Sequence, residues 1–192
     1  MKRTLFFLMF LSCSFLVSGQ FRATMKSSYS GVEKIYQVWS DGTNYRYEFK
    51  EKEQPMAMIV RPEENKAYVM MPDKKAYRPY PCDDFAIIMK DPVQGCVYMA
   101  HKYIEKIAGH EEAAGYDCLK KEYYMAYKGD TSIVYIVLFS EELNFPVKMI
   151  QGAFKTVKME LSGIQKWKPE KDYFVLPGGY AEVDENMQPV SH

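Results

Sequence analysis

The side chains whose types and spacing could do chemistry are three of the four cysteines, two histidines of which His110 stands beside acidic residues, and a recurring set of methionines and tyrosines. Cys82, Cys96 and Cys118 are too few for a disulfide framework. In an oxidising compartment they predict one disulfide and one odd thiol. Pairing Cys82 with Cys96 closes the shorter loop, whereas pairing Cys96 with Cys118 ties the middle segment to a later strand, and spacing does not choose between them. A structural zinc site needs four ligands at tight spacing, and only His101 and His110 accompany these cysteines, so no metal is expected. A reactive thiol at Cys118 is the alternative to a structural role there. His110-Glu111-Glu112 is the densest polar cluster, but it precedes Ala113-Ala114-Gly115 and reads as a solvated hairpin turn. Catalysis needs a nucleophile, a base and a group that orients it. The chain carries no Gly-x-Ser-x-Gly elbow, no His-Glu-x-x-His and no phosphate-binding glycine loop. The expectation is a protein that is not an enzyme and uses no cofactor.

Composition points to binding instead. The chain has 13 methionines and 16 tyrosines. Met56, Met58, Tyr68, Met70, Met89, Tyr123, Met125, Tyr135 and Met149 recur inside predicted strands or a predicted helix. Methionine is flexible and polarisable, so a surface rich in it repacks around ligands of different shape. With Tyr45, Tyr47, Phe85 and Ile88 these residues are the candidate lining of an apolar cavity. The ordinary alternative is that they fill an irregular core, with tyrosine hydroxyls reaching water.

Where such a site would work is written at the start of the chain. Met1-Lys2-Arg3, an apolar run from Leu5 to Val17 and Val17-Ser18-Gly19 have the three parts of a secretory signal, predicted over residues 1–19. As a membrane span the run falls short of about 20 apolar residues and is diluted by Ser12, Cys13, Ser14 and Ser18. Cys13 follows Phe10-Leu11-Ser12, a stretch faintly similar to a lipoprotein box, and lipidation there stays open. Removing Lys2 and Arg3 leaves 23 basic against 25 acidic residues. That balance argues against a nucleic-acid partner, which needs clustered positive charge. No later stretch is long and apolar enough to span a bilayer.

The elements that must position these residues are mostly strands. From Arg22 to Tyr80 apolar and polar residues alternate between turn signals, as in Tyr45-Arg46-Tyr47-Glu48-Phe49. Ser40-Asp41-Gly42-Thr43 reads as a hairpin turn. Pro62-Glu63-Glu64-Asn65-Lys66 and Pro72-Asp73-Lys74-Lys75 separate strands over Met56–Arg61, Ala67–Met71 and Ala76–Tyr80. Asp83-Asp84 can cap a helix with Phe85, Ile88 and Met89 on one face, and Asp91-Pro92 interrupts it before a second short helix over Val93–His101. Strands resume at Tyr103–Ala108, Tyr116–Tyr127, Ser132–Phe139, Pro146–Gln151 and Lys155–Ile164. Ile133 to Phe139 is apolar on both faces, so cover is needed on each side. One domain over 20–183 and a frayed polar tail over 184–192 are expected.

Met58-Ile59-Val60-Arg61-Pro62, Lys66-Ala67-Tyr68-Val69-Met70-Met71-Pro72-Asp73-Lys74-Lys75-Ala76-Tyr77, Ala114-Gly115-Tyr116-Asp117-Cys118, Glu142-Leu143-Asn144-Phe145-Pro146-Val147-Lys148 and Asp172-Tyr173-Phe174-Val175-Leu176-Pro177-Gly178-Gly179-Tyr180 carry a resemblance. The chain resembles the periplasmic lipoprotein carrier and lipoprotein-sorting proteins, the LolA-like superfamily, and within it the exported domains labelled DUF4412. The resemblance implies a mainly β fold, a strongly curved antiparallel sheet or open half barrel, with a short helical insert covering the concave face over an apolar cavity. It further implies an exported protein of the periplasm or cell surface, possessing a site for a lipid, an acyl chain or a lipidated protein. The alternative is an envelope interaction module with a filled core, binding a protein partner through a strand edge or its tyrosine-bearing face.

Overall fold

The computed structural model describes residues 19–29, 31–128, 130–152, 156–184, 186 and 188–190. Of the secretory signal expected over residues 1–19, Cys13 included, only Gly19 lies within the described residues.

Alternation builds the first half as an antiparallel meander: β1 (Gln20–Tyr29), β2 (Val32–Asp41), β3 (Tyr45–Glu51), β4 (Gln54–Arg61), β5 (Lys66–Met71) and β6 (Ala76–Tyr80). In β3, Tyr45, Tyr47 and Phe49 are buried on one face, while Arg46 and Glu48 lie half-exposed on the other, as a period of two requires. The β2–β3 turn closes on Asp41, whose Oδ1 accepts from the amides of Thr43 at 2.9 Å and Asn44 at 2.7 Å. The next two hairpins share one device. A single 3-10 turn beginning at Pro62 or Pro72 ends in a left-handed residue, Asn65 at φ 51° or Lys75 at φ 46°. Proline suits the first position because its φ is already set and its missing N–H has no partner to lose.

Two helices follow, α1 (Phe85–Ile88) and α2 (Pro92–Lys102), then β7 (Ile104–Ala113), β8 (Tyr116–Tyr127), β9 (Asp130–Ser140), β10 (Phe145–Gln151), β11 (Thr156–Lys166) and β12 (Ala181–Glu182). The twelve strands form one sheet in the order β12-β6-β5-β4-β3-β2-β1-β11-β10-β9-β8-β7. The two halves of the chain join where β1 pairs with β11. The sheet is curved and open: β7 and β12 are its edges and do not pair. Register shifts occur in the β1–β11, β7–β8, β8–β9, β9–β10 and β10–β11 ladders. Each extra residue bends and twists its strand, so the curvature has an origin in this half of the sheet.

Three details differ from the sequence reading. The strand expected to stop at Ala108 runs on to Ala113, so His110-Glu111-Glu112 is strand, and the turn is Ala114 and Gly115, with φ of 51° and 83°. The length of β8 is the reason, since it offers Leu119, Cys118 and Asp117 as partners to those residues. The second detail is β12, which the sequence reading did not anticipate and which pairs parallel to β6. Beyond it, the described residues of the polar end fold back: Val183 bridges Pro189, and the Val190 amide donates to the Glu182 carbonyl. Finally, Cys82, Cys96 and Cys118 are free thiols where a disulfide was expected. The Cys82 and Cys118 thiols donate instead to the carbonyls of Arg61 at 3.9 Å and Tyr116 at 3.5 Å, while Cys96 packs in a different cluster, beside Met99 and Tyr123.

The main core lies on the inner face, where Phe21, Met25, Val38, Tyr45, Tyr47, Met58, Phe145 and Leu161 pack with Ile87 of α1. A second cluster on the outer face joins Ala57, Ile59 and Met70 to Phe174 from the segment after β11. Strand β9 is shared between clusters: Val137 packs with Met99 of α2, and its neighbour Leu138 joins the main core.

Candidate functional site

Two aspartates set the helical insert. Asp84 caps α1 by accepting from the Ala86 amide at 2.8 Å, and Asp91 caps α2 by accepting from the Val93 amide at 2.9 Å. Pro92 stands at the first position of α2, where its ring is tolerated but α1 cannot continue through it. Asp91 also fastens the insert to the sheet. Its side chain is fully buried, and its Oδ1 accepts a hydrogen bond of 2.8 Å from the Tyr47 hydroxyl on β3. Its Oδ2 has no hydrogen-bond partner among the described residues. Burial pushes the Asp91 carboxyl up to about 6, against the hydrogen bonds of Tyr47 and the Val93 amide that favour its charged form. The same burial, with Asp91 beside it, holds the Tyr47 hydroxyl protonated well above its ordinary range.

Between this insert and strands β1, β9, β10 and β11 lies a pocket of about 580 Å³, within the roughly 300–1,000 Å³ common for small-molecule sites. Its sheet side is Met25, Ser27 and Ser28 of β1, Tyr135 of β9, Met149 and Gln151 of β10, and Lys158 and Met159 of β11. Its helix side is Phe85, Ile88, Met89, Lys90, Pro92, Gly95, Tyr98 and Met99, with Tyr103 at the end. Large apolar side chains stay uncovered here: Phe85 is 65% exposed, Met89 41% and Tyr98 39%, as is Val97 on the same helix at 47%. Ile87 and Met99 instead anchor the helices in the core.

Of the thirteen residues singled out from sequence, Phe85, Ile88, Met89, Tyr135 and Met149 come together around this pocket. Tyr45, Tyr47, Met58 and Tyr123 are fully buried in the inner core, and Met56 packs half-buried against it. Met70 and Tyr68 lie in the outer cluster, and Met125 is exposed on β8. Met25, Met99, Met159, Tyr98 and the two lysines were missed. The same-face alternation of Met25 with Ser27, and the pairing that sets Met149 opposite Met159, are the signals that could have found the sheet residues.

A larger depression of about 780 Å³ lies over β2, β3 and β4, bordered by Glu33, Lys34, Arg46, Glu48 and Lys50. Ile35, Phe49, Met56 and Pro72 share that lining, and its charges are satisfied locally, by Arg46 with Glu48 at 2.9 Å and Lys34 with Glu51 at 3.3 Å. The three thiols are poor nucleophiles: burial pushes Cys82 up to about 11 and Cys96 up to about 12, and raises Cys118. His110 Nδ1 lies 2.9 Å from Asp117 Oδ2 on the exposed β7–β8 hairpin. Among the described residues no three His, Cys, Asp or Glu side chains group to hold a metal ion, and no helix is long and apolar enough to cross a membrane.

No protein-family model matches the chain. No curated protein is similar to it by sequence. Among solved structures it is similar to an uncharacterized conserved protein from Thermus thermophilus, at 9% identity over 87% of this chain and 91% of that one, with a TM-score of 0.52. It is similar also to PNGF-II, at 12% identity over 87% of this chain, with a TM-score of 0.52, and there it spans only 31% of the longer protein. A LolA superfamily protein from Nitrosomonas europaea is 13% identical over 82% of this chain and 90% of that one, with a TM-score of 0.42. The first two likenesses establish a shared fold and nothing of activity.

Proposed function

We propose that this chain is an exported, non-enzymatic envelope protein that holds an apolar ligand, a lipid, an acyl chain or the lipid of a lipidated protein, between its helical insert and its curved sheet. The observation that carries the reading is the pocket itself. Five methionines line it, Met25, Met89, Met99, Met149 and Met159, with Phe85, Tyr98, Tyr103 and Tyr135 beside them. Such a lining adapts to chains of different length and saturation. Burial of an acyl chain there contributes about 0.8 kcal/mol per methylene, so a modest chain suffices for retention. Export is read from the basic, apolar and small-residue parts of residues 1–19.

Native mass spectrometry with lipid extraction, on protein purified gently from a bacterial periplasm, tests the proposal. A lipid or fatty acid in defined stoichiometry is the expected result. Met89→Asp and Met149→Asp should abolish retention while far-ultraviolet circular dichroism still reports the sheet. Retention by the variants equal to that of the parent protein would refute the reading.

A second reading rests on β7. This ten-residue edge strand is exposed along nearly its whole length, with Ile104 50% and Ile107 55% exposed. An edge of that length can accept a strand from a protein partner. Its charged residues, Glu105, Lys106, Glu111 and Glu112, are also what keeps an edge from pairing indiscriminately, which makes the pocket the better supported site.

A further inference from the structure

Among the described residues, the lining of the pocket holds two lysines, Lys90 and Lys158, and no aspartate or glutamate. Several lysines on the sheet are ion-paired. Lys26, Lys34, Lys120, Lys121 and Lys148 each meet a glutamate within 2.8–3.5 Å on the sheet. Lys158, half-buried, has no ion-pair or hydrogen-bond partner among the described residues, and Lys90 donates only to the Ala86 carbonyl at 3.3 Å.

Backbone geometry explains how Lys158 comes to the pocket. Met159 pairs with Met149 and Val157 pairs with Ile150, which leaves Lys158 as the extra residue of a bulge. A regular strand would send Lys158 to the face opposite Met159, but a bulge re-aims the side chain, and here both residues line the same pocket. Half-buried beside methionines, its ammonium has lost part of its hydration and gained no counter-charge. That is a standing cost which a bound anion would offset through charge-assisted hydrogen bonds. Ser27, Ser28 and Gln151 add neutral donors along the same wall.

We infer that the pocket selects amphiphiles with one anionic head group, a carboxylate or a phosphate, held by Lys158 and Lys90 while the chain lies along the methionines. This rests on the apolar-ligand reading of the same pocket and adds the chemistry of its head-group end.

The test is isothermal titration calorimetry on the purified protein with decanoate, decyl phosphate, decanol and decylamine, each below its solubility limit or micellar concentration. Both anions should bind about tenfold or more tightly than the alcohol, and the amine more weakly still. The stronger of the two anions tells which head group fits. Lys158→Met should bring the anions to within about threefold of the alcohol with the melting temperature nearly unchanged, and Lys158→Arg should restore the preference. Lys90→Met should weaken the anions in the same direction. Equal binding of alcohol and anions by the parent protein, or an anion preference that survives both lysine-to-methionine changes, overturns the head-group inference alone. Failure of all four probes to bind overturns the apolar-ligand reading beneath it.

Discussion

Asp91 is the residue on which most depends. It caps α2, accepts from Tyr47 on β3, and keeps one oxygen buried without a hydrogen-bond partner among the described residues. Its folded-state carboxyl is raised to about 6 by burial, so the folded chain holds this proton more tightly than the unfolded chain does. The contribution is therefore fully present below the ordinary carboxylate range and is lost as pH rises from about 4 to about 6. Above that range a buried charge remains, at a cost on the order of 3 kcal/mol. Asp91→Asn keeps the cap and the acceptor for Tyr47 while removing the titration. Urea unfolding at a series of pH values should show the variant losing the component of the parent's slope that falls between pH about 4 and about 6, and gaining stability relative to the parent at neutral pH. An unchanged slope in the variant would remove Asp91 from the pH response.

Among the elements, the segment after β11 does the work of a strap. It carries no long strand, yet Trp167, Tyr173 and Phe174 interlock edge to face, with ring centroids 4.8 Å apart for Trp167 and Tyr173 and 5.6 Å for Tyr173 and Phe174. Tyr173 also tilts against Trp39 at 5.7 Å and lies under the Arg46 guanidinium at 4.9 Å. Phe174, only 7% exposed, fills the outer cluster with Ala57, Ile59 and Met70. Without this strap the outer face of β3 to β5 would show those apolar residues to water. Phe174→Ala should lower stability by about 3 kcal/mol, the usual order for a buried phenylalanine, and red-shift the fluorescence of Trp39 and Trp167. A loss under about 1 kcal/mol would mean that the strap is laid on the sheet and does not support it.

For the whole molecule, one open sheet carries two layers of cover, helices within and strap without. Protection should follow that arrangement. Val38, Tyr47, Met58 and Ile59, all fully buried, lie on the central strands β2, β3 and β4, whereas β7 is exposed along almost every residue. Amide hydrogen exchange should be slowest in β2 to β4 and fastest in the outward-facing amides of β7 and in the two-residue β12. Uniform protection across the sheet would show instead that it opens only by global unfolding. An unclosed sheet also leaves room for a pocket: the face of β9 to β11 near α1 is not filled by an opposing strand, and the apolar side chains there stay partly uncovered.

The sequence by itself determined the strands, the hairpin turns and the two capped helices, because those follow from alternation, turn chemistry and short-range caps acting within a few residues. Tyr45-Arg46-Tyr47-Glu48-Phe49, Asp41-Gly42, the prolines at 62 and 72 and the aspartates at 84 and 91 could be read directly. Only the tertiary structure decided which large side chains became core and which became pocket. Tyr47 and Tyr135 are alike in type and both stand in apolar-rich strands, yet one is sealed beneath Asp91 and the other lines the cavity. Lys158 belongs to the pocket because of a bulge that no local pattern announces, and β12 exists because a distant segment returns to β6. Those outcomes depend on register and on contacts across more than a hundred residues, as in the pairing of β1 with β11 that joins the two halves. A linear reading carries no information about such distances.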